Sequence, residues 1–338
     1  MSRRLHAAGP NRRRAAARCR AAAYNRSVDV IFLGTPAFAV PALERLAATP
    51  GLRLRAVVCQ PDRPAGRGGA LQSPAVKQAA LRLGLEVFQP EKIRGDDGLQ
   101  WLAARQPEAL AVVAYGQLLP PRVFELPRLG AINAHASLLP RYRGAAPIQW
   151  ALARGERETG VTTMRINAGM DTGDMLLQRR LSIGEEETAP ELSRRLAVLA
   201  AELLAETLLG LAQARLSSIP QDDSQASLAP RLKKEDGLAD WQRPARELYN
   251  HWRGFQPWPG LYTFLRGERL SIHRCRILAE ADAPAPPGTL LPEAKLMSVA
   301  CAPGVLQLLE VQLEGRKPLS GEEFLRGARL APGERLGS

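Results

Sequence analysis

VDVIFLGTP, residues 28–36, runs a short, mostly apolar segment into a glycine and then offers Thr35 to cap a helix with Pro36 in its first turn. That is the opening of a strand-turn-helix unit. Similar runs recur at residues 54–59 (LRAVVC) and 110–115 (LAVVAY), with helical stretches at 75–83 and 98–105 between them. The alternation predicts an α/β fold: a Rossmann-like, mainly parallel sheet with helices on both faces, in which residues 131–134 form a further strand. GTPAFAV carries one glycine where the dinucleotide fingerprint needs three, so binding of NAD is rejected.

Further along, Thr188-Ala-Pro-Glu191 has the pattern of a capping box. Leu192, Leu196, Leu199 and Leu203 follow at helical spacing, which predicts a long helix closing the first domain. Residues 217–230, SSIPQDDSQASLAP, are polar and aperiodic, as a linker is. Beyond them a helix is expected at 245–253, then short strands at 261–265, 270–277, 297–301 and 305–313. Arg266-Gly267-Glu268 and Ala302-Pro303-Gly304 supply turn chemistry between pairs of these, which predicts a small OB-like β-barrel domain. The expected organisation is an extension at 1–27, a first domain at 28–216, a linker at 217–230 and the barrel at 231–338.

With 338 residues, 45% of them apolar, the chain can bury one large core or two smaller ones, two domains being expected, and its formal charge of +12 invites a nucleic-acid reading. Eight arginines and no acid lie in residues 1–27, which leaves +4 for everything else. Two readings of that tail stand, an organellar transit peptide and a disordered or artefactual extension. The barrel region has sixteen Lys and Arg against thirteen Asp and Glu, a weak surplus that fits nucleic acid without requiring it. Cys19, Cys59, Cys275 and Cys301 show no CxxC spacing and no HExxH occurs, so no disulfide framework and no metal site is expected. The longest apolar stretch, 196–211, is short for a membrane span and carries Glu202 and Glu206, so no membrane partner is expected.

Residues 130–148 read GAINAHASLLPRYRGAAPI. Asn133 and His135, two apart on a strand, face the same side at the carboxyl end of the sheet, where open α/β folds place ligands. Alone, a histidine there is more often a hydrogen-bonded core residue than a catalyst. Downstream, the glycine-bearing loop Asn167-Ala-Gly-Met-Asp171-Thr-Gly-Asp174 adds a carboxylate. An amide donor, an imidazole and a carboxylate, with no serine or cysteine nucleophile, suit attack on a carbonyl by a substrate's own amine. Asn133 and protonated His135 would steady the oxyanion, and Asp171 would help to remove the amine proton.

GTPAFAVPAL, QPDRPAGRGGALQSPAVK, VVAYGQLLP, GAINAHASLLPRYRGAAPIQWALARGERETGVTTM, GMDTGDMLLQ, GFQPWPG and GRKPLSG follow one another in this order. Together they resemble the methionyl-tRNA formyltransferase family from about residue 28 to the end. The resemblance implies that Asn133, His135 and Asp171 are the catalytic set and that 10-formyltetrahydrofolate is the one-carbon donor, with no metal. It also implies that Ser137, Leu138, Leu139 and Pro140 help to bind the folate, and that the partner is initiator methionyl-tRNA. By itself PDRPAGRGG is a solvated loop; the resemblance makes it the insertion that meets the acceptor arm, through Arg63 and above all Arg67. Arg141 and Arg143 are weaker candidates, as are Lys233, Lys234, Arg316 and Lys317, for which a solvated face is an equal alternative. A monomer in the cytoplasm is expected, with the mitochondrial matrix as the alternative through the arginine tail. Two rival functions remain: formylation of a small amine such as a sugar nucleotide or glycinamide ribonucleotide, and non-catalytic RNA binding.

Overall fold

The computed structural model describes residues 27–65, 69–293, 296–331 and 333–337. Residues 1–26 of the expected extension, and Arg67, lie outside them. Contacts group the chain into two compact units. One takes the chain up to Ala134 with Thr163–Ala168 and Ala201–Ile219; the other takes His135–Thr162, Gly169–Ala200 and Pro220–Ser338.

In chain order the elements up to the long helix are β1 (Val28–Gly34), α1 (Val40–Ala47), β2 (Leu52–Val58), β3 (Arg63–Ala65), β4 (Ala70–Gln72), α2 (Ala75–Arg82), β5 (Val87–Phe88) and α3 (Asp96–Arg105). They continue with β6 (Ala109–Val113), α4 (Pro121–Phe124), β7 (Ala131–His135), α5 (Pro147–Ala153), β8 (Glu158–Arg165), β9 (Met175–Ser182) and α6 (Ala189–Ala212). The main sheet runs β5-β2-β1-β6-β7-β8-β9. β1 pairs parallel with β2 and β6, β2 with β5, and β6 with β7. The chain leaves β1 for β2 on one side and reaches β6 on the other. The carboxyl ends of β1 and β6 are therefore a topological switch point, the place where such sheets hold ligands.

β1 and β6 are buried along nearly their whole length, the mark of strands covered on both faces. Ile31, Leu33, Leu110 and Val112 share one apolar cluster with Ile93 of the turn before α3 and with Leu102, Val123 and Phe124 of the helical layer. Gly34 closes β1 because a side chain does not fit: a Cβ there would stand 2.7 Å from Phe32 Cε1 and 3.0 Å from the Val113 carbonyl oxygen. Thr35 does not cap the helix, as the sequence suggested. Its hydroxyl donates instead to the Tyr115 carbonyl at 2.8 Å, so the first helical turn starts at Pro36 without a side-chain cap. The start of α6 is as expected, with Thr188 N–H and Oγ–H both donating to Glu191 Oε2 at 2.9 and 2.6 Å.

The C-terminal part contains α7 (Ala245–Gly254), β10 (Leu261–Leu265), β11 (Glu268–Ala279), β12 (Leu290–Glu293), β13 (Leu296–Ala300), β14 (Val305–Leu313), β15 (Leu319–Ser320) and α8 (Gly321–Ala328). Five strands run antiparallel in the order β10-β11-β14-β13-β12, with β15 on β14. Bulges between β11 and β14 curl this sheet into a half-barrel. Arg266 and Gly267, both at positive φ, form the two-residue hairpin turn of β10 and β11. Leu248 and Tyr249 of α7 and Phe324 of α8 pack into the apolar cluster with Leu270, Leu306 and Val311. Among the described residues no helix is long and apolar enough to cross a membrane, and no group of three or more His, Cys, Asp or Glu could hold a metal ion.

His251 on α7 stands 5.2 Å from the Phe255 ring, and burial, then the nearby Arg243 charge, pushes its pKa from 6.5 down to about 4. The unfolded chain therefore binds the proton more readily between these values, and stability present above pH 6.5 is lost as pH falls toward 4. We predict that wild type loses ~2–3 kcal/mol more than His251→Phe between pH 7 and 4.5, read from urea midpoints; parallel pH curves for the two proteins would exclude this role.

Candidate active site

β7 sets Asn133 opposite Val112 of β6 and ends on His135, so strand alternation turns both side chains to the same face. His135 is buried. Its Nε2 lies 2.9 Å from the Tyr142 carbonyl oxygen, and because a carbonyl only accepts, Nε2 carries the hydrogen and donates. Nδ1 thereby faces the other way, 3.7 Å from Asp171 Oδ2, close enough for an ion pair and long for a direct hydrogen bond. Asn133 is half-buried, and its amide makes no hydrogen bond among the described residues, which leaves two N–H groups to offer a ligand.

The carboxylate is placed by a strained backbone. Asp171 has φ 55°, and its Oδ2 accepts from Gly144 N–H at 2.9 Å, while its own carbonyl accepts from Gln221 Nε2 at 2.9 Å. Tyr142, whose carbonyl holds His135, also lies in the left-handed region, at φ 63°. Such conformations cost of order 1–3 kcal/mol each for residues with a side chain and persist only where neighbours over-determine them. For Tyr142 the neighbours are Ser227 Oγ, which accepts its N–H at 2.9 Å, and Glu156, which accepts its hydroxyl at 2.6 Å. Burial, then the Glu156 contact, pushes the Tyr142 phenol up to about 12, so it stays a donor. Gly144 has φ 125°, and a Cβ there would meet the Ala229 carbonyl oxygen at 2.6 Å. Only glycine fits this corner.

The segment Ser137–Pro140 forms the turn after β7. Ser137 and Leu139 are buried, and Leu138 and Pro140 half-buried. Ser137 Oγ donates to the Arg141 carbonyl at 2.7 Å, Leu139 N–H donates to Thr162 Oγ1 at 3.1 Å, and Gln178 Nε2 donates to the Leu139 carbonyl at 3.0 Å. Only Leu138 and Pro140 of the four retain exposed apolar surface for a ligand; the other two shape the turn.

The cations divide into paired and unpaired. Arg63 on β3 is exposed and pairs with Glu91 at 2.8 Å. Beside it Asp62 is already engaged: Gln89, Lys77 and Ser73 hold its carboxyl at about 2. Arg67 is outside the described residues. Arg141 is exposed and pairs with Glu156. Arg143, a surface candidate from the sequence, is instead buried, donating to Gln221 Oε1 at 2.8 and 3.0 Å and to Asp223 Oδ1 at 2.7 Å. Its guanidinium is consumed in holding the chain, not displayed to a polyanion. Lys233, Lys234, Arg316 and Lys317 are exposed and form no ion pair among the described residues.

Sequence reading missed Tyr142, Gly144, Gln178, Gln221 and Ser227 as parts of this arrangement. Their partners lie far along the chain, Gln221 and Asp171 being 50 positions apart and Ser227 and Tyr142 85, so no local pattern announces them.

The formyl transferase family matches residues 28–208, and the formyl transferase C-terminal domain family matches residues 231–329. Over 308 residues the chain is 53% identical to the methionyl-tRNA formyltransferase of Solibacter usitatus, covering 91% of this chain and 98% of that one. The methionyl-tRNA formyltransferase of Acidobacterium capsulatum is 52% identical over 313 residues, 92% of this chain and 100% of the relative. Among solved structures, WlaRD, a sugar 3N-formyl transferase studied in the presence of dTDP and 5-N-formyl-THF, superposes with a TM-score of 0.62 at 15% identity, covering 86% of this chain and all of that one. An N-formyltransferase from Helicobacter canadensis gives 0.61 at 16% identity over 83% of this chain and 98% of that one. The two structural likenesses speak for the fold; the identity to the curated relatives, carried over nine-tenths of the sequence, places this chain in the methionyl-tRNA formyltransferase family.

Proposed function

We propose that this formyltransferase moves the formyl group of 10-formyltetrahydrofolate to the α-amino group of initiator methionyl-tRNA, with Asn133, His135 and Asp171 carrying the chemistry. The observation that supports it most is His135 itself: a buried imidazole fixed through Nε2 by a main-chain carbonyl, with Nδ1 turned to a carboxylate 3.7 Å away. The half-buried Asn133 amide, without a partner among the described residues, suits a formyl oxygen that gains negative charge as the amine adds.

Asn133 and the Nδ1–H of the protonated His135 ring, the ring nitrogen that Tyr142 leaves free, donate to that oxygen as the amine nitrogen bonds to the formyl carbon. Asp171, through water, takes the proton that the nitrogen must lose, and a proton returns to N10 of the folate as its bond to the formyl carbon breaks. No covalent bond to the protein forms. Leu138 and Pro140 offer apolar surface to the folate, with Ser137 and Leu139 holding the turn. Arg63, Arg67, Arg141, Lys233, Lys234, Arg316 and Lys317 attract the tRNA backbone, Arg67 being assigned from the sequence alone. A small-amine acceptor is the rival reading, and the identity to methionyl-tRNA formyltransferases over nine-tenths of the chain favours tRNA.

Purified protein given 10-formyltetrahydrofolate is expected to formylate charged initiator tRNA and to leave an amino-sugar nucleotide unchanged; the reverse product pattern would reject the acceptor. Asn133→Ala and His135→Ala are each expected to lower kcat by about 10²–10³ while changing tRNA affinity less than about threefold. Retention of most of the rate by either variant would remove that residue from the chemistry. Gly144→Ala is expected to cost at least about tenfold in kcat, because the added Cβ displaces the N–H that holds Asp171. Wild-type turnover in that protein would show that the corner does not position the carboxylate.

A further inference from the structure

Residues 217–230 have the composition of a linker, yet residues 220–229 are woven into the active-site turns. Arg143 N–H donates to the Ser227 carbonyl at 2.8 Å, Ala229 N–H to the Arg143 carbonyl at 2.7 Å, and Ser227 N–H to the Pro140 carbonyl at 3.3 Å. Tyr142 N–H donates to Ser227 Oγ at 2.9 Å. On the other side of the site, Gln221 Nε2 donates to the carbonyls of Asp171 and Gly173 at 2.9 and 2.7 Å, while its Oε1 accepts from the buried Arg143. The two left-handed residues of the site, Tyr142 and Asp171, are thus both anchored by this one short segment. One of them supplies the carbonyl that holds His135, and the other supplies the carboxylate that faces it.

We propose that Gln221 is a positioning residue for the Asp171 carboxylate, and that residues 220–229 brace the active site where their composition suggests a tether. The inference rests on the formyl-transfer roles given above to His135 and Asp171. The physical reason is the backbone of the Asp171 loop. A left-handed residue flanked by glycines at 169 and 173 has many ways to relax, and each of them swings the carboxylate. Two hydrogen bonds from one planar amide to the carbonyls at 171 and 173 clamp both ends of that freedom. Arg143, itself held by Asp223 at 2.7 Å, fixes the rotation of the amide so that its NH2 group and not its oxygen faces the loop.

The two ends of the Gln221 side chain can be separated by substitution. Gln221→Glu keeps the shape and the acceptor for Arg143 but has no N–H for the loop; Gln221→Ala loses both. With the full-length protein, 10-formyltetrahydrofolate and methionyl-tRNA, and rates normalised to folded protein by circular dichroism, both variants are expected to lose at least about tenfold in kcat, roughly 1.4 kcal/mol of barrier. The KM values for both substrates should stay within about twofold of wild type. Gln225→Ala, which breaks only a bond to Asp222 inside the same segment, should keep the wild-type rate. Wild-type kcat in Gln221→Glu overturns the proposal, since the residue would then serve Arg143 alone; so does a loss of kcat matched in Gln225→Ala, or a loss expressed in KM alone. Should Gln221→Ala not fold, Gln221→Glu and Gln225→Ala decide the matter. A wild-type protein that forms no formylmethionyl-tRNA overturns the reading beneath the proposal, and the brace with it.

Discussion

The hydrogen bond from His135 Nε2 to the Tyr142 carbonyl is the constraint on which the rest of the site depends. It takes one ring nitrogen out of play and fixes the ring plane, so that the other nitrogen has a defined direction and a defined partner, Asp171. A main-chain carbonyl serves this purpose better than a side chain because it moves only if the backbone moves. The cost is carried by Tyr142, which must adopt a left-handed conformation to aim that carbonyl inward.

That local cost explains the tightness of the neighbourhood. Gly144 turns the chain where no Cβ fits, Ser227 and Glu156 hold the two ends of Tyr142, and Gly144 N–H reaches across to Asp171. The strand that delivers Asn133 and His135 belongs to a sheet whose central strands are buried on both faces, a rigid support. The loops that deliver Tyr142 and Asp171 have no such support from a sheet. They are made rigid by hydrogen bonds from a segment that arrives some fifty to eighty-five residues later.

A polar stretch rich in Ser, Gln, Asp and Pro is ordinarily free to move, because nothing in it demands burial. Here the same polar groups are what the two strained turns lack. Asp223 and Gln221 neutralise and orient a buried guanidinium, and Ser227 supplies the acceptor for a backbone N–H that no helix or strand would satisfy. The modest basic surplus of the C-terminal part is displayed separately, on exposed side chains such as Lys233, Lys234, Arg316 and Lys317.

By itself, the sequence determined the alternation of strands and helices from residue 28, the long capped helix at Thr188, the hairpin turn at Arg266 and Gly267, and the pairing of Asn133 with His135 on one strand face. All of these follow from periodicity, capping and turn chemistry over a few neighbouring residues. β12 and β15 were not read from it, since strands of four and two residues give too few repeats of their period to stand out, and β8, β9, α5 and α8 were not read either. Only the tertiary structure decided that Thr35 holds a distant carbonyl instead of capping its helix, that Arg143 is buried, and that Gln221 and Ser227 reach the two strained turns. Each is a hydrogen bond between groups distant in sequence, and the burial that makes such a bond worth forming exists only once the chain has closed around it.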